Sequence, residues 1–293
     1  MSGGLQRWVE AQRMRAPAPT GWWYATLALG IGTLLFSLSL AQVFPPTGYA
    51  HAPGYGAPVI AFEFARSQAD LLAVFGPDSD PGQVARLAAM RAGNEQDYLF
   101  MLLYASFVTS GLVALWRELR LRWLLAAALL PVAAALCDAY ENWLLFDIQA
   151  AFTVGEYSPS MASLPWPVAT KFLLLAFANV AIGAALTQMS RRWQLAGTLI
   201  LVPLLTVPMA LVSPPAFGWT LTAAIGAGWI GLLGTAAIGC WYALVKKAPL
   251  VDFEPEAPQR RATDRDAPEE PPPPPGAAPR SFGRRKSDGD AFR

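Results

Sequence analysis

The sequence predicts an all-α polytopic membrane protein with six transmembrane helices, an outer interfacial helix and a disordered cytoplasmic tail. Of its 293 residues, 54% are hydrophobic and only 15% are charged, which is too apolar for an ordinary soluble domain. Six apolar runs are each long enough to cross a bilayer as a helix, which takes about 20 residues. The net charge of +1 gives no strong positive field, so we expect no nucleic-acid partner.

The predicted membrane domain extends over residues 22–247, after a cytoplasmic segment, 1–21. Its spans are the runs 22–44, 98–116, 122–147, 166–189, 195–212 and 217–245. The fifth run contains Pro203 and Pro208, and we expect both to kink it. Neighbouring helices in a membrane can satisfy the carbonyl groups that a proline leaves free.

Basic residues are unevenly distributed between the spans, and this predicts the orientation. They precede the first run, separate the second from the third and the fourth from the fifth, and follow the sixth, at Arg7, Arg13, Arg15, Arg117, Arg120, Arg122, Arg191, Arg192, Lys246 and Lys247. The alternate loops 148–165 and 213–216 contain no lysine or arginine. By the positive-inside rule, both termini are cytoplasmic, and these loops and 45–97 lie outside the inner membrane.

The outer loop 45–97 is predicted to carry two helices. Segment 59–75 is predicted to be an amphipathic helix in the plane of the interface, because a polar stripe runs along it at helical spacing. The stripe consists of Glu63, Arg66, Ser67 and Asp70. Asp80 and Pro81 have the pattern of an N-cap followed by a first-turn proline, which predicts a short helix to about Ala92.

The C-terminal segment 248–293 is predicted to be a disordered cytoplasmic tail. It includes the run PPPPP at 271–275 and has few apolar residues to bury. Two interpretations remain open for it: a solvated tail, or a proline-rich site that recruits a cytoplasmic protein partner.

The third apolar run carries ionisable residues in the stretch CDAYENWLLFD at 137–147. Asp138, Glu141 and Asn142 share one face of the predicted helix. Asp138 lies roughly 15 Å from the outer end at 1.5 Å per residue. An unpaired charge at that depth costs several kcal/mol, so the group must be paired, protonated or next to water.

Residues of other segments are expected to meet this face. Lys171 is the only lysine inside any predicted span, and its depth predicts an ion pair with Asp138 or Glu141. Tyr104 lies at the depth of Asp138, Asp97 marks the outer end of the second span, and Glu63 is placed to cover the opening. The alternatives are interhelical adhesion for Lys171, packing for Tyr104, a helix N-terminal charge for Asp97 and a solvated position for Glu63.

These residues together predict a polar pocket in the outer half of the membrane that binds or moves a lipid-like amphiphile. Two alternatives remain: a structural subunit whose tail recruits a partner, or a metal-free acid–base enzyme acting on a lipid or isoprenoid. The sequence has one histidine and two cysteines, with no metal-ligand spacing or phosphate-binding loop. We therefore expect no metal or cofactor, and membrane lipids as partners.

Four short motifs resemble a group of uncharacterised bacterial polytopic membrane proteins. They are FEFA at 62–65, DYLFMLLY at 97–104, DAYEN at 138–142 and the lysine-containing ATKFLLLAF at 169–177. The resemblance covers roughly residues 59–190, and it implies a membrane architecture but no particular activity.

The orientation is testable with single cysteines in a variant lacking Cys137 and Cys240. In intact cells, Ala52→Cys and Glu156→Cys should react with an impermeant thiol reagent, because both loops are predicted to be outside. Ala262→Cys should react only after the membrane is opened. Labelling of position 262 in intact cells would contradict the predicted orientation.

Overall fold

The computed structural model describes residues 21–189, 191–248 and 250, and these residues form helices and turns without a β-strand. The helices are α1 (Trp22–Val43), α2 (Pro58–Glu63), α3 (Gln68–Phe75), α4 (Gln83–Leu119), α5 (Trp123–Ala127), α6 (Leu130–Thr153), α7 (Ser160–Ser163), α8 (Pro165–Thr187), α9 (Arg191–Ile200), α10 (Pro203–Val212), α11 (Pro214–Phe217) and α12 (Trp219–Trp241). A 3₁₀ turn, Pro53–Tyr55, precedes α2, and a π-helical turn, Tyr242–Lys246, follows α12.

Six stretches of this helical chain are long and apolar enough to cross a membrane. They are Trp22–Val43, Gln83–Leu119, Trp123–Thr153, Ser160–Thr187, Trp193–Val212 and Trp219–Lys246. The predicted all-α, six-span, multi-pass membrane protein is thus confirmed. The tail predicted to be disordered, 248–293, lies outside the described part of the chain except for residues 248 and 250, and residues 1–20 also lie outside it.

Three spans contain breaks. In the fourth, Leu164 separates α7 from α8, and Pro165 begins α8. The third is divided between α5 and α6, and Pro131 lies in the first turn of α6. The fifth is divided between α9 and α10, and Pro203 begins α10 while Pro208 lies inside it. The predicted kink at Pro203 is therefore a break in the helix, because proline cannot donate the backbone hydrogen bond that would continue α9.

The predicted short helix ending near Ala92 was wrong, because it is the start of α4, which continues unbroken for 37 residues. Gly82 stands at its N-cap position, while the Asp80 side chain forms a salt bridge with Arg86 instead of capping the helix. Helix α4 continues through Gly93, where a side chain would collide with the ring of Phe44.

The single amphipathic helix predicted over 59–75 was also wrong in its extent, since the segment forms α2 and α3 with a turn between them. The Ser67 hydroxyl caps α3 by accepting a hydrogen bond from the Asp70 amide at 3.2 Å. The Asp70 carboxylate accepts from the Arg66 amide at 2.9 Å. The polar groups of Ser67 and Asp70 therefore form hydrogen bonds within the turn, and Glu63 at the end of α2 is buried.

The helices enclose two hydrophobic cores. One combines α2 and α3 with parts of α4, α6 and α8, and includes Phe62, Phe75 and Met90. The other is built around Trp23, Leu112 and Leu232. In the predicted orientation the first core lies towards the outer side, so the helices of the outer loop are part of the folded core.

Helices α8 and α9 approach each other closely where two glycines face each other. A Cβ atom added to Gly183 on α8 would lie 2.6 Å from the carbonyl oxygen of Gly197 on α9, and one added to Gly197 would lie 2.7 Å from that of Gly183. Within α12, Gly228 and Gly239 also meet neighbouring side chains, whereas Gly234 has open space. Small residues commonly permit such close approach of membrane helices.

We expect Gly197→Ala to lower the free energy of unfolding of the protein in detergent by about 1–3 kcal/mol, because the backbone of α8 cannot move away without repacking. Gly234→Ala is the matched control and should be neutral or slightly stabilising, since alanine favours the helix. Equal effects of the two substitutions on the unfolding temperature would contradict this packing.

Candidate functional site

Lys171 is at the centre of a buried ion cluster formed with Glu63, Asp138 and Glu141. Its Nζ atom lies 3.0 Å from Asp138 Oδ1, 2.9 Å from Glu141 and 3.3 Å from Glu63 Oε1. The four residues are between 0% and 7% exposed. The predicted pairing of Lys171 is confirmed, and the lysine contacts both predicted acids and a third carboxylate.

Three chain segments position this cluster. Asp138 and Glu141 are three residues apart on α6 and therefore project from one face. Lys171 lies two turns into α8, which packs along α6. Glu63 comes from α2, of which Ile60, Ala61 and Phe62 are buried in the first hydrophobic core. The ion cluster thus connects the outer loop to two membrane helices.

Asp138 is held from a second direction by α4. The Tyr104 hydroxyl donates a hydrogen bond to Asp138 Oδ2 at 3.0 Å. The Tyr104 ring stacks on Trp229 of α12, with centroids 5.3 Å apart. Tyr104 is therefore both a packing residue and a hydrogen-bond donor, at the depth that the sequence predicted.

Asn142 and Asp97 form a polar contact next to the ion cluster. The Asn142 amide donates to Asp97 Oδ2 at 3.0 Å and to the Asn94 carbonyl oxygen at 3.1 Å. Asp97 was expected at the outer end of the second span, with a helix N-terminal charge as the alternative. The helix N-terminal alternative was wrong, because α4 begins at Gln83 and Asp97 lies in its interior. The place of Asp97 at the outer end of the membrane-crossing part stays a prediction.

The ion cluster is closed rather than an open pocket. Glu63 covers it, as predicted, but is itself only 7% exposed. The alternative of a solvated position for Glu63 was therefore wrong. A separate cleft lies next to the ion cluster, and its volume is about 440 Å³. It is lined by Tyr55, Phe64, Arg66, Asp70, Pro165, Ala169, Leu211, Pro214 and Pro215.

Glu118, a buried carboxylate near the C-terminal end of α4, was not among the predicted site residues. It accepts hydrogen bonds from Trp23 Nε1 at 3.0 Å and from the Leu250 amide at 3.1 Å. Its neighbours in the sequence are Arg117 and Leu119, so it had the appearance of a solvated loop charge. Gln149 was likewise not predicted; its side chain donates a hydrogen bond from α6 to the Leu87 carbonyl oxygen at 2.7 Å.

Comparison with protein-family models, curated proteins and solved structures found no match to this chain. The resemblance to bacterial polytopic membrane proteins therefore stays a prediction, and the site must be interpreted from its own chemistry.

The cluster contains more acid than base. Three carboxylates surround one ammonium group, and Asp97 interacts electrostatically with the same set. Buried charges are stable only when they are paired and hydrogen-bonded, and otherwise they become neutral by taking up a proton. Such an arrangement can hold protons and fix helices, and it has the acid–base groups that proton transfer requires.

Lys171→Met should destabilise the protein by roughly 3–5 kcal/mol, because it leaves the surrounding carboxylates without their cation. Adding Glu141→Gln should recover part of the lost thermal stability, since one buried carboxylate is removed. Lys246→Met is the control, because Lys246 is exposed. Unchanged stability in Lys171→Met would show that the ammonium does not balance these acids.

The attachment of α2 should weaken as the pH rises. Burial raises the pKa of the Glu63 carboxyl above its ordinary value, and this effect exceeds the opposing effect of Lys171. The attached state therefore retains a proton that the detached state loses, so the stabilisation is complete below the ordinary pKa and disappears as pH rises through the raised one. Hydrogen exchange of residues 58–63, corrected for intrinsic rates, should show this loss of protection.

Glu63→Gln should remove that pH dependence, because the amide cannot titrate. Glu156→Gln, at an exposed position, should preserve it. The same pH dependence in Glu63→Gln and in the unsubstituted protein would assign the effect to another group.

Proposed function

We propose that this integral membrane protein binds a small amphiphile from the outer side of the membrane, in the cleft next to the ion cluster. The observation that carries this proposal is the cleft itself, whose volume of about 440 Å³ falls within the range of small-molecule sites. Its lining combines apolar side chains with a small number of polar ones, as amphiphile-binding sites require.

The apolar part of the amphiphile would contact the cleft wall formed by Phe64, Ala169 and Leu211. Arg66 supplies the cationic group of the lining, and its Nη1 atom donates to the backbone oxygens of Glu63 and Ala65 at 3.0 and 2.7 Å. A guanidinium has five N–H donors, so it can hold its own backbone and still bind a carboxylate or phosphate head group.

The ion cluster would support this cleft without contacting the head group. Phe64 stacks on Phe172, with ring centroids 6.4 Å apart, and the Phe172 ring lies 4.7 Å from Lys171 Nζ. The Lys171 ammonium therefore contacts a ring that packs against the cleft-lining Phe64. Because Glu63 precedes Phe64, its attachment to Lys171 fixes one wall of the cleft.

The burial of all four charged residues favours a second function for the cluster alone, which is adhesion between α2, α6 and α8. This is the structural alternative, and it does not need a bound molecule. A substitution that fills the cleft distinguishes the two functions. It should prevent amphiphile binding but leave the ion pairs, and therefore the adhesion between the helices, intact.

Leu211→Trp should reduce the amount of co-purifying lipid by on the order of tenfold, equivalent to ~1.4 kcal/mol, because the larger ring occupies the cleft. Mass spectrometry of the protein purified in mild detergent measures this. Val212→Trp is the matched control, since Val212 is 86% exposed and does not line the cleft.

Arg66→Ala should selectively weaken the retention of anionic lipids, with Arg91→Ala as the control at an exposed position outside the cleft. If Leu211→Trp and Val212→Trp retain the same lipids as the unsubstituted protein, the cleft is not the binding site. A chemically altered lipid in place of a retained one would instead support the acid–base enzyme.

A further inference from the structure

The hydrogen-bond donors of Lys171 are all used within the ion cluster. An ammonium group has three N–H donors; Nζ donates hydrogen bonds to Asp138 Oδ1 and Glu141 Oε1 and forms an ion pair with Glu63 Oε1. Its distances to these carboxylates are 2.9–3.3 Å. No further donor on Lys171 is available for the second oxygen of any of the three acids.

Two of the second oxygens are consequently left without a hydrogen bond. Glu63 Oε2 and Glu141 Oε2 are buried and accept no hydrogen bond from any described residue. Nζ is as close to Glu141 Oε2 as to Oε1, at 2.9 Å, but its hydrogen bond is directed to Oε1. Asp138 differs, because Tyr104 donates to its second oxygen.

A carboxylate oxygen that is buried without a donor is costly when the group is ionised. A proton on one of two adjacent carboxyl groups removes a negative charge and supplies the missing donor to the other. Glu63 and Glu141 meet this condition, since both carboxylates contact the same Lys171 Nζ atom, at 3.3 and 2.9 Å, where α2 and α6 meet. Two adjacent carboxylates cannot both stay ionised in such a setting.

The other charged and titratable groups around this pair do not remove the excess negative charge. Asp138 on α6 and Asp97 on α4 add to it, while Lys171 on α8 supplies one positive charge. Arg66 interacts with Glu141 but is itself exposed. The three acids in contact with Lys171 therefore exceed it by two charges when all are ionised.

We propose that Glu63 and Glu141 share a bound proton, which makes the contact between α2 and α6 a proton-binding site. The proton is taken from water on the outer side, and the carboxylate pair becomes a carboxylic acid hydrogen-bonded to a carboxylate. The site does not depend on the amphiphile cleft. A metal ion fits less well, because no group of three or more His, Cys, Asp or Glu side chains in the described part of the chain is arranged to hold one.

Infrared spectroscopy of the purified protein in sodium-free buffer tests this site. At neutral pH we expect the carbonyl stretching band of a buried protonated carboxyl group, which disappears as the pH is raised. Glu63→Gln and Glu141→Gln should each abolish the same band, because the proton needs both carboxyl groups. Glu156→Gln, at an exposed position, should leave it unchanged.

The results that would overturn the proposal are distinct. Absence of the band in the folded, unsubstituted protein would show that the pair is fully ionised, and this measurement does not require any variant to fold. Separate bands removed one by each substitution would show two independent protons. Loss of the band on adding sodium at constant pH and ionic strength, with potassium as the control, would show that a cation competes for the oxygens.

Discussion

The attachment of Lys171 to three carboxylates is the interaction on which the arrangement of the outer half depends. Lys171 and two of the acids lie on membrane helices, whereas Glu63 belongs to the outer loop. The loop helix α2 is thereby fixed over α6 and α8. The same contact places Phe64 against Phe172. Because Phe64 lines the neighbouring cleft, the ion cluster determines the shape of the cleft although none of its residues lines it.

A row of polar contacts between α4 and α6 supports this cluster. Along α4 from its N-terminal half, Gln149 bonds to the Leu87 carbonyl, Asn142 bonds to Asp97, and Asp138 bonds to Tyr104. Interhelical hydrogen bonds in membranes each contribute on the order of 1 kcal/mol. The row therefore fixes the register of the two helices and the position of both α6 acids relative to Lys171.

Hydropathy and helical periodicity were sufficient to predict the six spans, the shared face of Asp138, Glu141 and Asn142, and the pairing with Lys171. Each of these follows from one helix at a time, because burial in a membrane leaves a charged group few partners. The pairing needed only matching depths on two helices that are consecutive predicted spans.

The outer loop could not be predicted in the same way, because its structure depends on tertiary contacts. A polar stripe containing Glu63 has the same period whether it faces water or Lys171. Ser67 followed by Asp70 is a capping pattern that could have indicated the break between α2 and α3. For the continuity of α4 through Asp97 and for the burial of Glu118, the local sequence carries no comparable signal, since packing decides both.

Solid-state NMR of the protein in lipid bilayers tests the central ion cluster most directly, by measuring dipolar couplings between Lys171 Nζ and side-chain carboxyl carbons. The sequence has four lysines, of which Lys171 alone lies within a predicted span, so its ¹⁵N signal is assignable with one variant. We expect a charged ammonium coupled to the carboxyl carbons of Asp138, Glu141 and Glu63, the last coupling being lost in Glu63→Gln. A neutral amine, or an ammonium with no coupling to Glu63, would contradict this expectation.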